Sequence, residues 1–575
     1  MKRRSVGPSI LMITLLVLFA VCLIYPIWLT IEGAFVSYDG GFTLYHIGEV
    51  FTNEVLRNSL LNALAIAGCT TLLSIIISLP LAGLTARYDF PGKKVFGALI
   101  LVPLILPPFV GAIGLTHLLG RSGAINTLLI DLGLLETGFD FIGKGGFWAI
   151  VVIEALHLYP IIYLNATASL ANLDPALTEA AENVGAGPWS RFTKITLPLI
   201  RPGLFAGSTI VFIWSFTELG TPLMFDYQQV APVQIFQLIK EMSDSQQPYA
   251  LTAVMLAIAI GIYVVGKFFF GRRGHEMYAK ASVQAIPKKL KGIAALGALT
   301  LCTVVVLMAV SPHISVVLSS LAVDGSWYQS IFPQQFTLQY YDDALTHPLA
   351  MGSIENSLVY SVCAVALDLG IGLLIAYLIV RTRIWGRTLL DSLSMLPLAV
   401  PGLVMAFGYV AVTLRWPFGE GDPLEGVLSV TGAEPNPAVL LVIAYAVRRL
   451  PYVVRATASG LEQTSGQLEE AALNMGASKL RAIRTIIVPL IMANLIAGAL
   501  LAFSFAMLEV SDSIILAQRE ADFPMTKAIY VLFERLGDGP AIASAMGVWG
   551  MALLAATLIG ASVMMGKKMG AIFRV

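Results

Sequence analysis

Residues 179–200 read EAAENVGAGPWSRFTKITLPLI, and residues 470–491 read EAALNMGASKLRAIRTIIVPLI. The two stretches lie 291 residues apart and are identical at ten of 22 positions: Glu179/Glu470, Ala180/Ala471, Ala181/Ala472, Asn183/Asn474, Gly185/Gly476, Ala186/Ala477, Ile195/Ile486, Pro198/Pro489, Leu199/Leu490 and Ile200/Ile491. Each opens on a helix-forming Glu-Ala-Ala run, breaks at a glycine and continues as an amphipathic stretch to a proline. The glycine supplies a turn that other residues resist. A glutamate near a helix start is favoured by the helix dipole. Small Ala and Gly side chains allow close approach to another surface, so each copy is expected to be a short helix that docks into a protein groove. The simpler alternative, an amphipathic helix lying on a membrane surface, explains a single copy as well but two matched copies less well.

Around these stretches the chain is apolar. Of its 575 residues 57% are hydrophobic and 13% charged, about half the charge of an ordinary soluble chain. The mean hydropathy is +0.80. Too little charge remains to cover a soluble surface of this size, and disorder needs the opposite composition. Lys+Arg and Asp+Glu balance at 36 each, so no basic surface points to nucleic acid. The four cysteines sit in separate apolar runs without metal-ligand spacing.

A helical span needs about 20 apolar residues. Twelve segments qualify, near 9–31, 59–84, 95–118, 147–170, 203–224, 249–270, 293–317, 357–380, 389–413, 437–459, 492–516 and 541–565. In lipid they must be helices, since no barrel-type alternation is present. The fold class expected is therefore an all-α polytopic membrane protein. The first segment follows Lys2, Arg3 and Arg4 and is expected to be a retained helix rather than a cleaved signal. With the N-terminus in the cytoplasm, 28 Lys and Arg fall on or near that side, Arg448 and Arg449 among them, and eight fall outside. That asymmetry puts both termini in the cytoplasm.

Further pairs extend the repeat. Asn58-Ser59-Leu60 returns as Asn356-Ser357-Leu358, Arg87 and Gly92 match Arg381 and Gly386, and Pro103 and Pro107 match Pro397 and Pro401. Pro160 matches Pro451, and Glu218 matches Glu509. The expected organisation is a six-span half over 1–270, a cytoplasmic linker over 271–291 and a second six-span half over 292–575. Six spans return the chain to its starting side, so the halves are parallel repeats. The duplicated loops, 172–198 and 461–489, fall between spans four and five of each half.

Glu-Ala-Ala, three residues, Gly-Ala and a terminal Leu-Pro or Val-Pro, present twice, resemble the EAA loop in the permease subunits of binding-protein-dependent ABC importers. The resemblance covers essentially the whole chain. It implies that Glu179, Ala180, Ala181, Gly185 and Ala186 contact one copy of a separate ATP-hydrolysing subunit, and that Glu470, Ala471, Ala472, Gly476 and Ala477 contact a second. It also implies an external solute-binding protein and residence in the inner membrane. In the first copy, Gly187-Pro188 is expected to shorten the second helix of the loop. Two halves fused in one chain resemble ferric-iron importer permeases, and also thiamine and aminoethylphosphonate permeases. Glu218-Leu219-Gly220-Thr221-Pro222 looks like a stretch of the ferric type, which makes ferric iron the leading solute.

No G-x-x-x-x-G-K-[ST] loop is present, so ATP is expected to be hydrolysed by a partner and not by this chain. No H-E-x-x-H or G-x-S-x-G pattern occurs, and the six histidines are scattered. Neither a catalytic centre nor a cofactor or metal is expected. A rival reading, a secondary transporter driven by an ion gradient, calls for an intramembrane acidic cluster without a docking loop. Ionisable residues in spans are costly and should face protein or water. Glu218 and Glu509 are candidates for lining or gating the path, against the alternative of snorkelling at a helix end. Glu154 and His157, one turn apart, read as a structural pair, and Asp368 has no repeat partner. The prolines at 103–108 and 397–401 are expected to kink spans three and nine.

Overall fold

In the computed structural model, residues 6–565 are described except 38, 106, 144–145, 172, 240–244, 271–287 and 432–433. The termini and most of the 271–291 linker thus lie outside the described residues, and with them the expected cytoplasmic ends. Besides loops and turns, the described residues form helices, one parallel pairing of Tyr88–Asp89 with Lys288–Lys289 and three isolated bridges. Eight helices are long and apolar enough to cross a membrane, or eleven if each of three bent pairs counts as one span. Twelve spans were expected. The difference is the tenth segment: it is a 26-residue helix, Ala438–Gln463, but it carries Arg448, Arg449, Arg455 and Glu462. Arg448 and Arg449 sit in the middle of that helix, about 20 Å from its end at ~1.5 Å per residue. They thus lie mid-helix and not at a helix end.

Proline makes corners where only kinks were expected. Arg387–Ala399 and Gly402–Thr413 meet at 103°, with Pro401 at the start of the second helix. Lys93–Leu104 and Pro108–Asp131 meet at 99°, with Pro107 in the same place. Proline offers no N–H to the preceding turn and disfavours a helical residue before it, so a helix breaks readily at such a position.

Two compact units divide the chain, and they are not the two sequence halves. One holds 1–56, 234–254 and 339–572; the other holds 57–233, 255–338 and 573–575. Each unit thus takes its first long helix from the opposite half of the sequence. In the first unit the Pro26 carbonyl lies against Gly408, where a Cβ would come within 2.7 Å of it. Tyr409 donates its hydroxyl to the Cys22 carbonyl at 2.9 Å. In the second unit the Pro312 carbonyl lies against Gly114, where a Cβ would come within 1.9 Å. The same contact, a proline-bearing first helix on a third-span glycine, is built twice.

Packing of the fourth and fifth spans is also repeated. Gly207 lies against Ile162 and Asn165 in one unit; Gly498 lies against Val453 and Ala456 in the other. One turn away the small residue changes sides: Gly203 faces Ser169, whereas Gly460 faces Asn494. In both units one member of the pair is glycine, which keeps the two helices close.

Candidate functional site

The duplicated loops adopt one geometry. The first helix of each runs Pro175–Asn183 and Gln467–Asn474. Asp174 caps the first of these, accepting from the Ala176 amide at 2.9 Å. Gly185 and Gly476 then take φ of +84° and +87°, the left-handed region that glycine enters without a Cβ clash. In one copy Gly185 N donates to Glu182 O and Ala186 N to Ala181 O, both at 2.9 Å; in the other Gly476 N donates to Leu473 O and Ala477 N to Ala472 O, both at 3.0 Å. This double bond pattern is the Schellman C-cap. The Ala of each Glu-Ala-Ala run thus supplies a closing carbonyl.

A second short helix follows, Pro188–Arg191 in one copy and Lys479–Ala482 in the other. The two are equally long, so Gly187-Pro188 shortens nothing. Proline at the first helical position lacks only an N–H that needs no partner there, while Ser478 caps its counterpart through Oγ to Arg481 N at 3.3 Å. One π turn follows in each, Phe192–Thr196 and Ile483–Ile487. In the first copy the helix runs straight into the next span, Leu197–Phe216; in the second it bends by 77° before Met492–Met507.

Large apolar side chains are exposed at matched positions of the two loops. Val184 and Met475 are 84% and 89% exposed, Trp189 and Leu480 both 75%, and Leu177 and Leu468 about half. Each pair is 291 apart. Sequence reading missed them because none is an identity, although the repeat alignment puts an apolar residue in each column. Glu179, Ala180, Glu470 and Ala471 lie on the same helices.

Arginines tie the loops to their neighbours. Arg87 donates to Thr196 Oγ1 at 2.7 Å. Its counterpart Arg381 donates to the carbonyls of Leu461 and Thr464 and to Thr464 Oγ1, at 3.0, 2.8 and 2.7 Å. Tyr377 adds a 2.5 Å bond to Glu469, and Arg191 pairs with Glu182 at 2.5 Å.

The sequence matches the family "Binding-protein-dependent transport system inner membrane component" twice, over residues 74–272 and 368–565. Each match contains one loop. The chain belongs to this family. It is thus an ABC importer permease with two family domains fused in one chain, a transport subunit rather than an enzyme. "Ferric transport system permease protein FbpB" of Actinobacillus pleuropneumoniae is 26% identical over 550 residues, 92% of this chain and 74% of that protein. "Fe(3+)-transport system permease protein FbpB 2" of Haemophilus influenzae is 23% identical over 476 residues, 82% and 83% of the two chains. "Molybdenum transport system permease protein ModB" of Haemophilus influenzae is 30% identical over 203 residues, 34% of this chain and 86% of that one.

Inside the permease, Glu218 and Glu509 occupy unlike surroundings despite their repetition. Glu509 is 4% exposed and pairs with Arg448 and Arg449. Arg448 also reaches Asp512 at 3.4 Å. A buried, doubly paired carboxylate is not snorkelling, so that alternative is overturned for Glu509. Arg448 and Arg449 were missed because each looked like a flanking cation, whereas their partners lie about 60 residues later. Asp368 is buried, with neither carboxylate oxygen hydrogen-bonded. Glu218 accepts from the Thr221 amide and hydroxyl at 3.2 and 3.4 Å. Glu154 takes a hydrogen bond from the Ser215 hydroxyl, and His157 donates from Nδ1 to the Pro103 carbonyl at 2.7 Å. No group of three or more His, Cys, Asp or Glu fit to hold a metal occurs among the described residues.

Proposed function

We propose that this permease carries ferric iron inward after an external binding protein delivers it, and that two copies of a separate ATPase drive it through the two loops. The observation that carries the coupling role is the repeated pairing of a Schellman-capped helix with three exposed apolar side chains. Fully burying each such side chain is worth about 1.5–3 kcal/mol, and exposed apolar side chains along short helices are the form a groove-docking element takes. Glu179, Ala180, Ala181, Gly185 and Ala186 would face one ATPase copy. Glu470, Ala471, Ala472, Gly476 and Ala477 would face the other. The basic-residue asymmetry supports cytoplasmic loops and termini, with parallel six-span halves over 1–270 and 292–575 joined by the 271–291 linker. Glu218 belongs to the path in this reading, whereas Glu509, paired with Arg448 and Arg449, braces the helices beside it. The ferric solute is supported by relatives of that name aligning over most of this chain.

The test is solute uptake by proteoliposomes holding the permease, its ATPase and its binding protein. ATP-dependent accumulation of ferric iron is the expected result. ATP hydrolysis stimulated by the binding protein without iron uptake would overturn the solute and leave thiamine or aminoethylphosphonate. Uptake driven by an ion gradient without the ATPase would overturn the coupling role.

A further inference from the structure

A carboxylate pair distinguishes the first repeat from the second. Glu154 comes from the Phe147–Ala171 helix and Glu218 from just beyond the Leu197–Phe216 helix. Both line one cavity of about 10 Å³, the room of a single water or small ion, with Ser215 beside them. The rest of the wall includes Ala63, Ile66 and Pro222. Glu154 is 1% exposed, and its Oε1 has no hydrogen-bond partner. Thr70, also fully buried, lies beside Glu154 without a well-formed hydrogen bond to it. Burying a carboxylate with one oxygen unmatched is costly unless a proton or another cation neutralises it, and a neighbouring carboxylate deepens the need.

The second repeat meets that need with its own residues. At the positions equivalent to Glu154, His157, Leu158, Ser215 and Glu218 it carries Tyr445, Arg448, Arg449, Ala506 and Glu509. Two guanidiniums answer Glu509 there, and the second carboxylate of the pair is replaced by a tyrosine.

We propose that Glu154, Glu218 and Ser215 form a station for a hard, oxygen-seeking metal cation passing through the first repeat of the permease. The proposal rests on the cation-importer reading above. Carboxylate and hydroxyl oxygens suit a hard cation. Three protein oxygens coordinate a cation incompletely, and binding of that incomplete kind lets a transported ion leave again. In the second repeat Arg448 and Arg449 already occupy the equivalent glutamate, Glu509.

Tb³⁺ is a hard, luminescent probe. Titrating it into the detergent-purified full chain should reveal a saturable site. Glu154→Gln and Glu218→Gln should each weaken that site about tenfold or more, Glu154→Asp should keep most of it, and exposed Glu136→Gln should leave it unchanged. No saturable site, or equal affinity in Glu154→Gln, would overturn the proposal in favour of a proton shared by the pair. The solute question separates cleanly. Tb³⁺ binding lost in the variants upholds the station even where ferric iron is not taken up. Normal iron uptake by Glu154→Gln/Glu218→Gln overturns the station and leaves the ferric reading standing.

Discussion

Arg449 donates through Nη2 to Glu509 Oε2, joining the middle of one helix to the end of another, with the glutamate buried and the arginine partly so. The first repeat has the glutamate, Glu218, but Leu158 stands where the arginine would be. Duplication preserved the carboxylate and not its partner. Equivalent glutamates therefore have unequal jobs: one holds a helix pair together, and the other faces a small cavity.

Removing one partner of a buried ion pair leaves an uncompensated charge and costs about 3–5 kcal/mol, whereas replacing all partners with apolar residues is close to neutral. Arg448→Leu should lower the unfolding midpoint in detergent, because both Glu509 and Asp512 lose a partner. The quadruple variant Arg448→Leu/Arg449→Leu/Glu509→Leu/Asp512→Leu should recover most of the loss. Glu509→Gln should weaken assembly, while Glu218→Gln should alter transport with little change in the midpoint. Equal midpoints for the two glutamine variants would contradict the unequal roles.

Val184 and Met475 should matter to partner binding and not to folding. Each is more than four-fifths exposed, and surface changes away from special features usually stay within about 0.5 kcal/mol. Val184→Ser/Met475→Ser should therefore unfold like the parent and retain less ATPase on co-purification. Full retention of the ATPase would remove these side chains from the docking surface.

The exchanged first helices can be probed at their contact points. A methyl group at Gly114 would meet the Pro312 carbonyl at 1.9 Å, and overpacking of this kind costs about 1–3 kcal/mol. Gly114→Ala should lower the unfolding midpoint. Gly68→Ala, whose added methyl meets nothing within 4 Å, should be neutral or slightly stabilising by removing glycine from a helix. A neutral Gly114→Ala would contradict the packing.

Arg381 should not be replaceable by lysine. Its guanidinium serves three oxygens around Leu461 and Thr464, and an ammonium lacks that fork. Both Arg381→Lys and Arg381→Ala should lower ATP-driven uptake while leaving the permease inserted. Uptake unchanged in Arg381→Ala would show that the loop does not depend on this anchor.

Spans and loops were legible because hydropathy and repetition are properties of contiguous sequence. The left-handed turns at Gly185 and Gly476 followed from residue type at a conspicuous spacing. The Arg448–Glu509 network was not legible: attraction between groups 61 positions apart leaves no mark in a count of loop charges. The exchange of first helices was hidden for a related reason. Repeats reveal which segments are equivalent, but not whether Pro26 meets Gly114 or Gly408. The corner at Pro401 was half visible, since proline announces a break but packing sets its 103° angle.

The central claim is that ATP drives this permease through its two glycine-capped loops. Its most direct test is ATP-driven uptake by the Gly185→Asp/Gly476→Asp variant, with correct insertion verified. A side chain at φ near +85° costs about 1–2 kcal/mol per site in the left-handed region and adds charge to an apolar docking face. The prediction is a normally inserted permease that fails to bind its ATPase or to transport. Full ATP-driven transport by that variant would contradict the account.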